Sequence, residues 1–408
     1  MLVENLIKST VELQGFRVVE VRMGDDGLEA ELAPDARYAP RCGGCGAPAR
    51  YRDKRSARLF RHVPLWGIAT RLVYAPRRVD CPRCGVRVEA MPWASGKRRM
   101  TRALMVTLAT WARMLTWRQV AALFHCSWDT VAAAVDDAVA YGLERRDISE
   151  LTHIGVDEIS RKRGHVYLTN VYDLVTSRLI WSGEGRARET LDAFFDWLGE
   201  ERAARLEGIC CDMWRPYIDV IKARAPQATL VFDKFHIVGH LMKAVDEVRR
   251  DEIREKGEDA KALMKKTRYI WLKNPWNLSA NQRARLADLE RLNLKINRAY
   301  LLKEAFREFW SYTTSGWARR YLDKWFWWAT HSRLAPMRDF AWMLRHHQDD
   351  LLSYFKLPID NGAVEGLNNK ARMIAHKAYG FRSAKNYIRN LYHCMAKLPL
   401  PKTLHTFA

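Results

Sequence analysis

Between residues 151 and 240 the chain alternates short apolar runs with amphipathic stretches, and this alternation limits its folds more than any other feature. His153–Ile159, Val166–Leu174 and Ser177–Ser182 read as three strands, the latter two as a hairpin. Thr190–Leu198 has the spacing of an amphipathic helix, Gly208–Cys211 reads as a strand, Tyr217–Ala225 as a helix and Thr229–Phe232 as a strand. A further helical stretch follows. The order β-β-β-α-β-α-β-α predicts an α/β fold.

That order is the one of a ribonuclease-H-like core, and acids stand where such a core could use them. Asp157 ends the apolar run His-Ile-Gly-Val, and Asp212 ends Gly-Ile-Cys-Cys. Glu365 opens a helical stretch within Asn361-Gly-Ala-Val-Glu-Gly-Leu-Asn-Asn-Lys370. Three carboxylates on two strand ends and a helix can converge to hold two hard cations, a standard device for cutting or joining phosphodiesters. One Asp at a strand end is more often a turn or cap residue, so the inference rests on the three together. Glu158 is next to Asp157 and points to the opposite strand face, which makes it a second choice as ligand. Asp233-Lys-Phe-His236 has two readings: an N-cap Asp with a helix-start His, or a His that orients a ligand or hydrogen-bonds a phosphate. Asn369 and Arg372 lie four and seven residues beyond Glu365, on its helix face. Arg372 there reads as a phosphate contact or as an ordinary exposed arginine.

The charge points to a polyanionic partner. The 408 residues carry a net charge of +21 and a pI of about 9.7. Residues 51–100 hold 13 Lys/Arg against 3 Asp/Glu, and after Glu365 there are 8 Lys/Arg and no acid. Two basic blocks flanking a carboxylate site suit a phosphate backbone. A hydrophobic content of 48% with 16 Trp indicates a folded protein. The most apolar stretch, Ala103 to Phe124, is broken by Arg113 and Arg118, so no membrane span is expected. The N-terminus carries Glu4 and no basic-then-apolar leader, so no secretory signal is expected.

Two Cys-x-x-Cys pairs, Cys42/Cys45 and Cys81/Cys84, supply the four soft ligands of a tetrahedral zinc. Strands are expected around Phe16 and Leu28, with a turn at Gly24-Asp-Asp-Gly27, and again around Arg58–Val63 and Thr70–Tyr74. Residues 101–145 switch to helical spacing: Arg102–Leu115, Trp117–Phe124, and Trp128 to about Leu143, the last capped by Ser127. Val120, Leu123, Val131, Val135 and Val139 would pack the latter two as a helix-turn-helix. The last helix carries Asp129, Asp136 and Asp137, which weighs against strong phosphate binding and leaves a plain helical hairpin as the other reading. Cys126, Cys210, Cys211 and Cys394 are expected to fill core space. Residues 241–355 read as helical and hold half of the tryptophans, including Trp325, Trp327 and Trp328. Clustered Trp is more often core, though stacking on single-stranded DNA is the other possibility.

Together Gly155-Val-Asp-Glu158, Asp212-Met-Trp-Arg-Pro-Tyr217, Phe232-Asp-Lys-Phe-His236 and the Glu365 segment resemble the bacterial insertion-sequence transposases of the DDE class, in the group with an N-terminal zinc ribbon and helix-turn-helix. The resemblance covers essentially the whole chain. It implies a β-rich zinc ribbon (1–100), a helix-turn-helix (101–148), the first part of a ribonuclease-H-like core (149–240), a helical insertion (241–355), and completion of the core by the Glu helix with a basic C-terminus (356–408). It implies a catalytic set of Asp157, Asp212, Glu365 and His236, two Mg²⁺ (or Mn²⁺) on the three carboxylates, and structural Zn²⁺ on the four cysteines. Trp128, Thr130, Lys97, Arg98, Arg99, Lys370 and Arg372 are the candidate DNA contacts. The expected activity is cleavage at terminal inverted repeats followed by transfer of the 3′-OH strands into target DNA. A homodimer or higher oligomer on double-stranded DNA, at the bacterial nucleoid in the cytoplasm, would carry it out. Two other readings use the same residues: a domesticated, non-catalytic DNA-binding protein, and a structure-selective nuclease on the same fold.

Overall fold

Gly24 and Gly27 face each other across the expected turn, joining β1 (Phe16–Gly24) to β2 (Gly27–Pro34) in antiparallel register. Gly27 has φ +115°, and a Cβ there would lie 2.3 Å from the Ala69 carbonyl oxygen, so a side chain is excluded. The computed structural model describes residues 3–162, 166–359 and 362–402. Asn361 of the glutamate segment lies outside the described residues. Two units separate by contact: Met1–Arg146 with Lys377–Tyr379 and Lys385–Ala408, and Asp147–His376 with Gly380–Ala384. Residues from Lys385 onward, expected with the core, thus cluster with the first unit.

The first unit begins with a short helix, Val3–Thr10, which the sequence reading did not identify. A four-stranded sheet follows in the order β1-β2-β5-β4, with β4 at Arg58–Leu65 and β5 at Ile68–Tyr74. Trp93 closes its core, edge-on to Phe16 at 4.7 Å and to Tyr74 at 5.3 Å. A second sheet, β3-β6-β7, consists of β3 (Arg50–Lys54), β6 (Arg77–Cys81) and β7 (Gly85–Val88). It is the ribbon proper, and its strands are too short and charged to show a period.

Three helices complete this unit, Arg102–Met114, Trp117–Leu123 and Trp128–Arg145, started by Thr101, Thr116 and Ser127 as side-chain caps. Val120, Val131, Val135 and Val139 are buried as expected. Leu123 is not: it is 53% exposed, because it ends its helix just before the tight turn at His125, where φ is +47°. The C-terminal helix Ala384–Met395 adds a buried contact, His393 Nε2 to the Ala109 carbonyl at 2.7 Å.

The second unit is built on a five-stranded sheet, β10-β9-β8-β11-β12. β8 (His153–Lys162), β9 (Val166–Asp173) and β10 (Arg178–Glu184) form an antiparallel meander. β11 (Gly208–Cys211) and β12 (Thr229–Phe232) add in parallel to β8. Helices Arg188–Leu198 and Arg215–Arg224 make the crossovers, as a parallel addition requires. This α/β sheet with its meander and crossovers is the expected ribonuclease-H-like core.

From Lys234–Lys256 onward the chain is helical as far as Leu352. Trp271, Phe306, Phe309, Trp325 and Phe340 are buried in this insertion. Trp325 is therefore core, with its ring N–H donating to the Leu302 carbonyl at 2.9 Å. The helix Gly362–Lys377 then carries Glu365. Among the described residues no helix is long and apolar enough to cross a membrane.

Candidate active site

Strand register places three aspartates at one level. Cys210 of β11 pairs with Gly155 of β8, and Cys211 with Phe232 of β12. Asp157 is two residues past Gly155, Asp212 follows Cys211, and Asp233 follows Phe232, so all three stand at the carboxyl end of the parallel pairing. Asp212 and Asp233 lie just past their strands, whereas Asp157, expected at a strand end, lies midway along β8 opposite Asn170. Ligand sites of open α/β sheets lie at such ends. His236 lies among them. Its Nδ1 is 3.6 Å from Asp212 Oδ2, and its Nε2 is 3.7 Å from Asp157 Oδ1 and 3.5 Å from Asp233 Oδ2. The Asp157 carboxylate, with help from Asp212 and Asp233 and against burial, raises the His236 pKa to about 9. Asp233 fits both of its readings, since its Oδ1 also caps the following helix by accepting from Phe235 N at 2.8 Å.

The two faces of β8 hold different chemistry. On one face Asp157 Oδ2 accepts from Asn368 Nδ2 at 2.5 Å. Asn368 Oδ1 accepts from the Tyr172 hydroxyl at 2.7 Å, and that hydroxyl accepts from Asn170 Nδ2 at 3.0 Å. Because a hydroxyl donates to its oxygen, the Asn368 amide can only turn its N–H toward Asp157. Sequence reasoning missed Asn368, Tyr172 and Asn170. Asn368 stands in the glutamate segment, but the residue singled out there was Asn369, equally near Glu365 by helical spacing; it is exposed and accepts from Arg372 Nη1 at 2.9 Å. On the other face Glu158 lies against Tyr217, whose hydroxyl also meets Thr169 Oγ1 at 2.8 Å. Burial, then Asp157, pushes the Glu158 carboxyl up to about 7.

Backbone amides fix both aspartates further. Asp157 Oδ1 accepts from Glu158 N at 2.7 Å, and Asp212 Oδ1 from Met213 N at 2.6 Å. Glu365 is exposed in the first turn of its helix, one turn before Asn368. The helix is thus tied to Asp157 through Asn368. The structure does not gather Glu365, Asp157 and Asp212 within 4.8 Å; among the described residues, only the cysteines form a donor group that close. Lys370 and Arg372 are exposed on the same helix.

The four cysteine Sγ atoms lie within 4.8 Å of one another, and those of Cys45 and Cys81 are 3.6 Å apart. Zinc at about 2.3 Å from four tetrahedral sulfurs needs them about 3.8 Å apart, so the group fits. A Cβ on Gly43 would meet the Val88 carbonyl oxygen at 2.5 Å, which explains the glycine in the first knuckle. Amides of Cys45 and Gly44 hold the Cys42 thiol down to about 7.

Within the first unit, Arg61, Arg71, Arg98, Arg99, Asp129 and Thr130 line a groove beside the Trp128–Arg145 helix. Arg61 and Arg71 were not among the expected contacts. Arg61 also donates to the Phe124 and His125 carbonyls and so clamps the helix-turn-helix turn. Two acids that weighed against this helix are paired inside the unit, Asp137 with Arg98 and Asp136 with Arg389. Lys97 and Trp128 are exposed but do not line the groove. The Thr130 hydroxyl is shared with the Ser127 cap at 2.9 Å.

Comparison with known proteins agrees with this geometry. The ISL3 group's DDE family model, described as a transposase, matches residues 154–391, and one described as a zinc-finger of the transposases of IS204, IS1001, IS1096 and IS1165 matches residues 39–84. The transposase for insertion sequence element IS1001 of Bordetella parapertussis is 30% identical over 394 residues, 95% of this chain and 97% of that protein. The transposase for insertion sequence element IS1557 of Mycobacterium tuberculosis (strain CDC 1551 / Oshkosh) is 32% identical over 385 residues, 88% of this chain and 86% of that protein. With its zinc ribbon, its ribonuclease-H-like sheet and this breadth of similarity, the chain belongs to the ISL3 family of DDE transposases.

Proposed function

We propose that the chain binds the terminal inverted repeats of its own insertion sequence, cleaves DNA at those ends and transfers the 3′-OH strands into target DNA. The convergence of Asp157, Asp212 and Asp233 on His236 from three adjacent strands carries this reading. The donor set suits hard divalent cations, being carboxylate oxygens in a concentrated negative field. Asp157 and Asp212, with Glu365 from the helix that Asn368 ties to Asp157, would hold Mg²⁺ or Mn²⁺. When bound, a metal pair supplies Lewis-acid charge at the scissile phosphate and its leaving oxygen.

The remaining work falls to the chain itself. Asn368 and the Glu158 amide hold the Asp157 carboxylate in one orientation, and the Met213 amide does so for Asp212. His236 sets the spacing between them. Lys370 and Arg372 take backbone phosphates near the site. The arginine groove of the first unit, which Thr130 also lines, recognises the ends together with Lys97 and Trp128. The zinc holds the two cysteine knuckles of that unit together. Pairing two ends requires a homodimer or higher oligomer, working on the nucleoid in a bacterial cytoplasm.

The test is to incubate purified protein with DNA carrying the genomic flanks of its own gene, with and without Mg²⁺, and to map the breaks. Metal-dependent breaks leaving 3′-OH at an inverted repeat, lost in Asp157→Ala, are expected. Binding without cutting, identical in wild type and variant, overturns the proposal.

A further inference from the structure

The helix Ser315–His331 of the insertion has an outward face that the active site does not explain. At 3.6 residues per turn, Trp317, Arg320, Lys324, Trp327, Trp328 and His331 fall within an arc of about 100°. All six are exposed; Trp317 is 60% and Trp327 63% accessible, whereas tryptophan is ordinarily well covered. The opposite arc carries buried Ala318, Leu322, Trp325 and Ala329. The helix is therefore amphipathic in an unusual way, with aromatic rings on both faces and cations on only one.

Two of the outer rings, Trp317 and Trp327, already have a group of their own helix on one side. The Arg320 guanidinium lies 5.0 Å from the Trp317 ring centre, and the His331 ring stacks on Trp327 at 4.5 Å and 22°. Among the described residues neither Arg320 nor Lys324 pairs with a carboxylate. The nearest acid along the chain, Asp323, is taken by Arg345 and by Gln348 at 3.2 Å. Exposed rings alone would suit an apolar protein partner. Rings interleaved with unpaired cations, in a chain of net charge +21, suit a polyanion that also offers flat π faces.

We propose that this face is a stacking platform for unpaired nucleotides, with Trp317 and Trp327 receiving bases and Arg320 and Lys324 the intervening phosphates. The proposal rests on the DNA-processing reading above, for it is DNA opened near the cut that would present such bases. It is sequence-tolerant, since every base has a π face.

Full-length protein should be titrated with fluorescently labelled oligothymidine and, separately, with duplex DNA carrying the inverted repeat, by anisotropy. Trp317→Ala/Trp327→Ala should weaken oligothymidine binding by about tenfold or more. Duplex binding should stay unchanged. Trp317→Phe/Trp327→Phe should recover most of the loss. Arg320→Ala/Lys324→Ala should weaken binding and flatten its salt dependence. Equal oligothymidine affinity in wild type and the double alanine variant overturns the platform. So does a change in sedimentation without a change in that affinity, which would mean that a second copy covers the face. If the wild type cuts ends but the variant binds oligothymidine normally, the platform alone fails. If the wild type binds oligothymidine through these rings but neither binds nor cuts ends, the proposed function fails and the platform stands.

Discussion

The cysteine cluster of the ribbon and the proposed carboxylate site of the core are assembled to different degrees. In the ribbon, four sulfurs already lie within 4.8 Å of one another, carried on knuckles shaped by backbone turns. In the ribonuclease-H-like core, three aspartates share one imidazole while Glu365 remains exposed on its helix. The contrast follows from charge. Thiols can be protonated and neutral, so sulfurs can approach one another without a cation. Carboxylates ionised at neutral pH repel, and a cation must sit among them. His236, raised to about 9, is that cation among the aspartates. The ribbon site is thus set by the fold, whereas the carboxylate site is complete only as far as its internal cation reaches.

The largest effect that can test this contrast is on cleavage. Asp212→Ala and Glu365→Ala should each abolish end cleavage while end binding survives in a gel-shift assay. Equal loss in both places Glu365 on the same footing as Asp212 despite its exposure. Retained cleavage in Glu365→Ala would break the assignment and turn attention to the residues already gathered around His236. For the ribbon, Cys42→Ser should lower zinc content, measured by metal analysis, and lower the melting temperature, because metal binding there is part of the folding free energy. A variant with full zinc and an unchanged melt contradicts the preassembled site.

An intermediate effect should come from Asn368. Its amide is fixed by Tyr172 so that it can only donate to Asp157, and loss of such an orienting partner costs about 10- to 100-fold in metal affinity or activity. Asn368→Ala should therefore raise the Mg²⁺ concentration needed for half-maximal cleavage, and Tyr172→Phe should do so to a lesser degree. An unchanged metal dependence, with only the melting temperature lowered, would reduce Asn368 to a structural role.

Much of this was legible in the residues. Short β-branched runs gave the core strands and their order, and Ser127 marks a helix start by side-chain chemistry alone. What stayed hidden depended on the third dimension. Helical periodicity places Asn368 and Asn369 equally near Glu365, and only the packing of Tyr172 selects the first. Leu123 is apolar at a helical spacing, yet the turn at His125 leaves it in solvent. Asp136 and Asp137 looked like an electrostatic obstacle because their partners, Arg389 and Arg98, lie far away in sequence. The convergence on His236 follows from strand register, which no local pattern specifies.

The smallest expected effect concerns a second histidine, whose environment is the reverse of that of His236. His393 is buried, with Nε2 hydrogen-bonded to the Ala109 carbonyl, and burial lowers its pKa to about 4. The folded state therefore prefers the neutral ring, and the unfolded chain takes up its proton first as pH falls. Stability from this group is fully present above its ordinary pKa of 6.5 and is lost as pH falls through the window down to about 4. Within that window the loss is at most about 1.4 kcal/mol per pH unit. His393→Gln keeps a side-chain N–H donor but cannot titrate. Its melting temperature should fall less than that of the wild type between neutral pH and pH 5, although other groups lower both. Parallel falls would show that the proton on His393 does not enter the balance. His236 has a raised pKa and so favours the protonated, folded form on the acid side. The difference between the two titrations thus separates a histidine that burial keeps neutral from one placed to neutralise carboxylates.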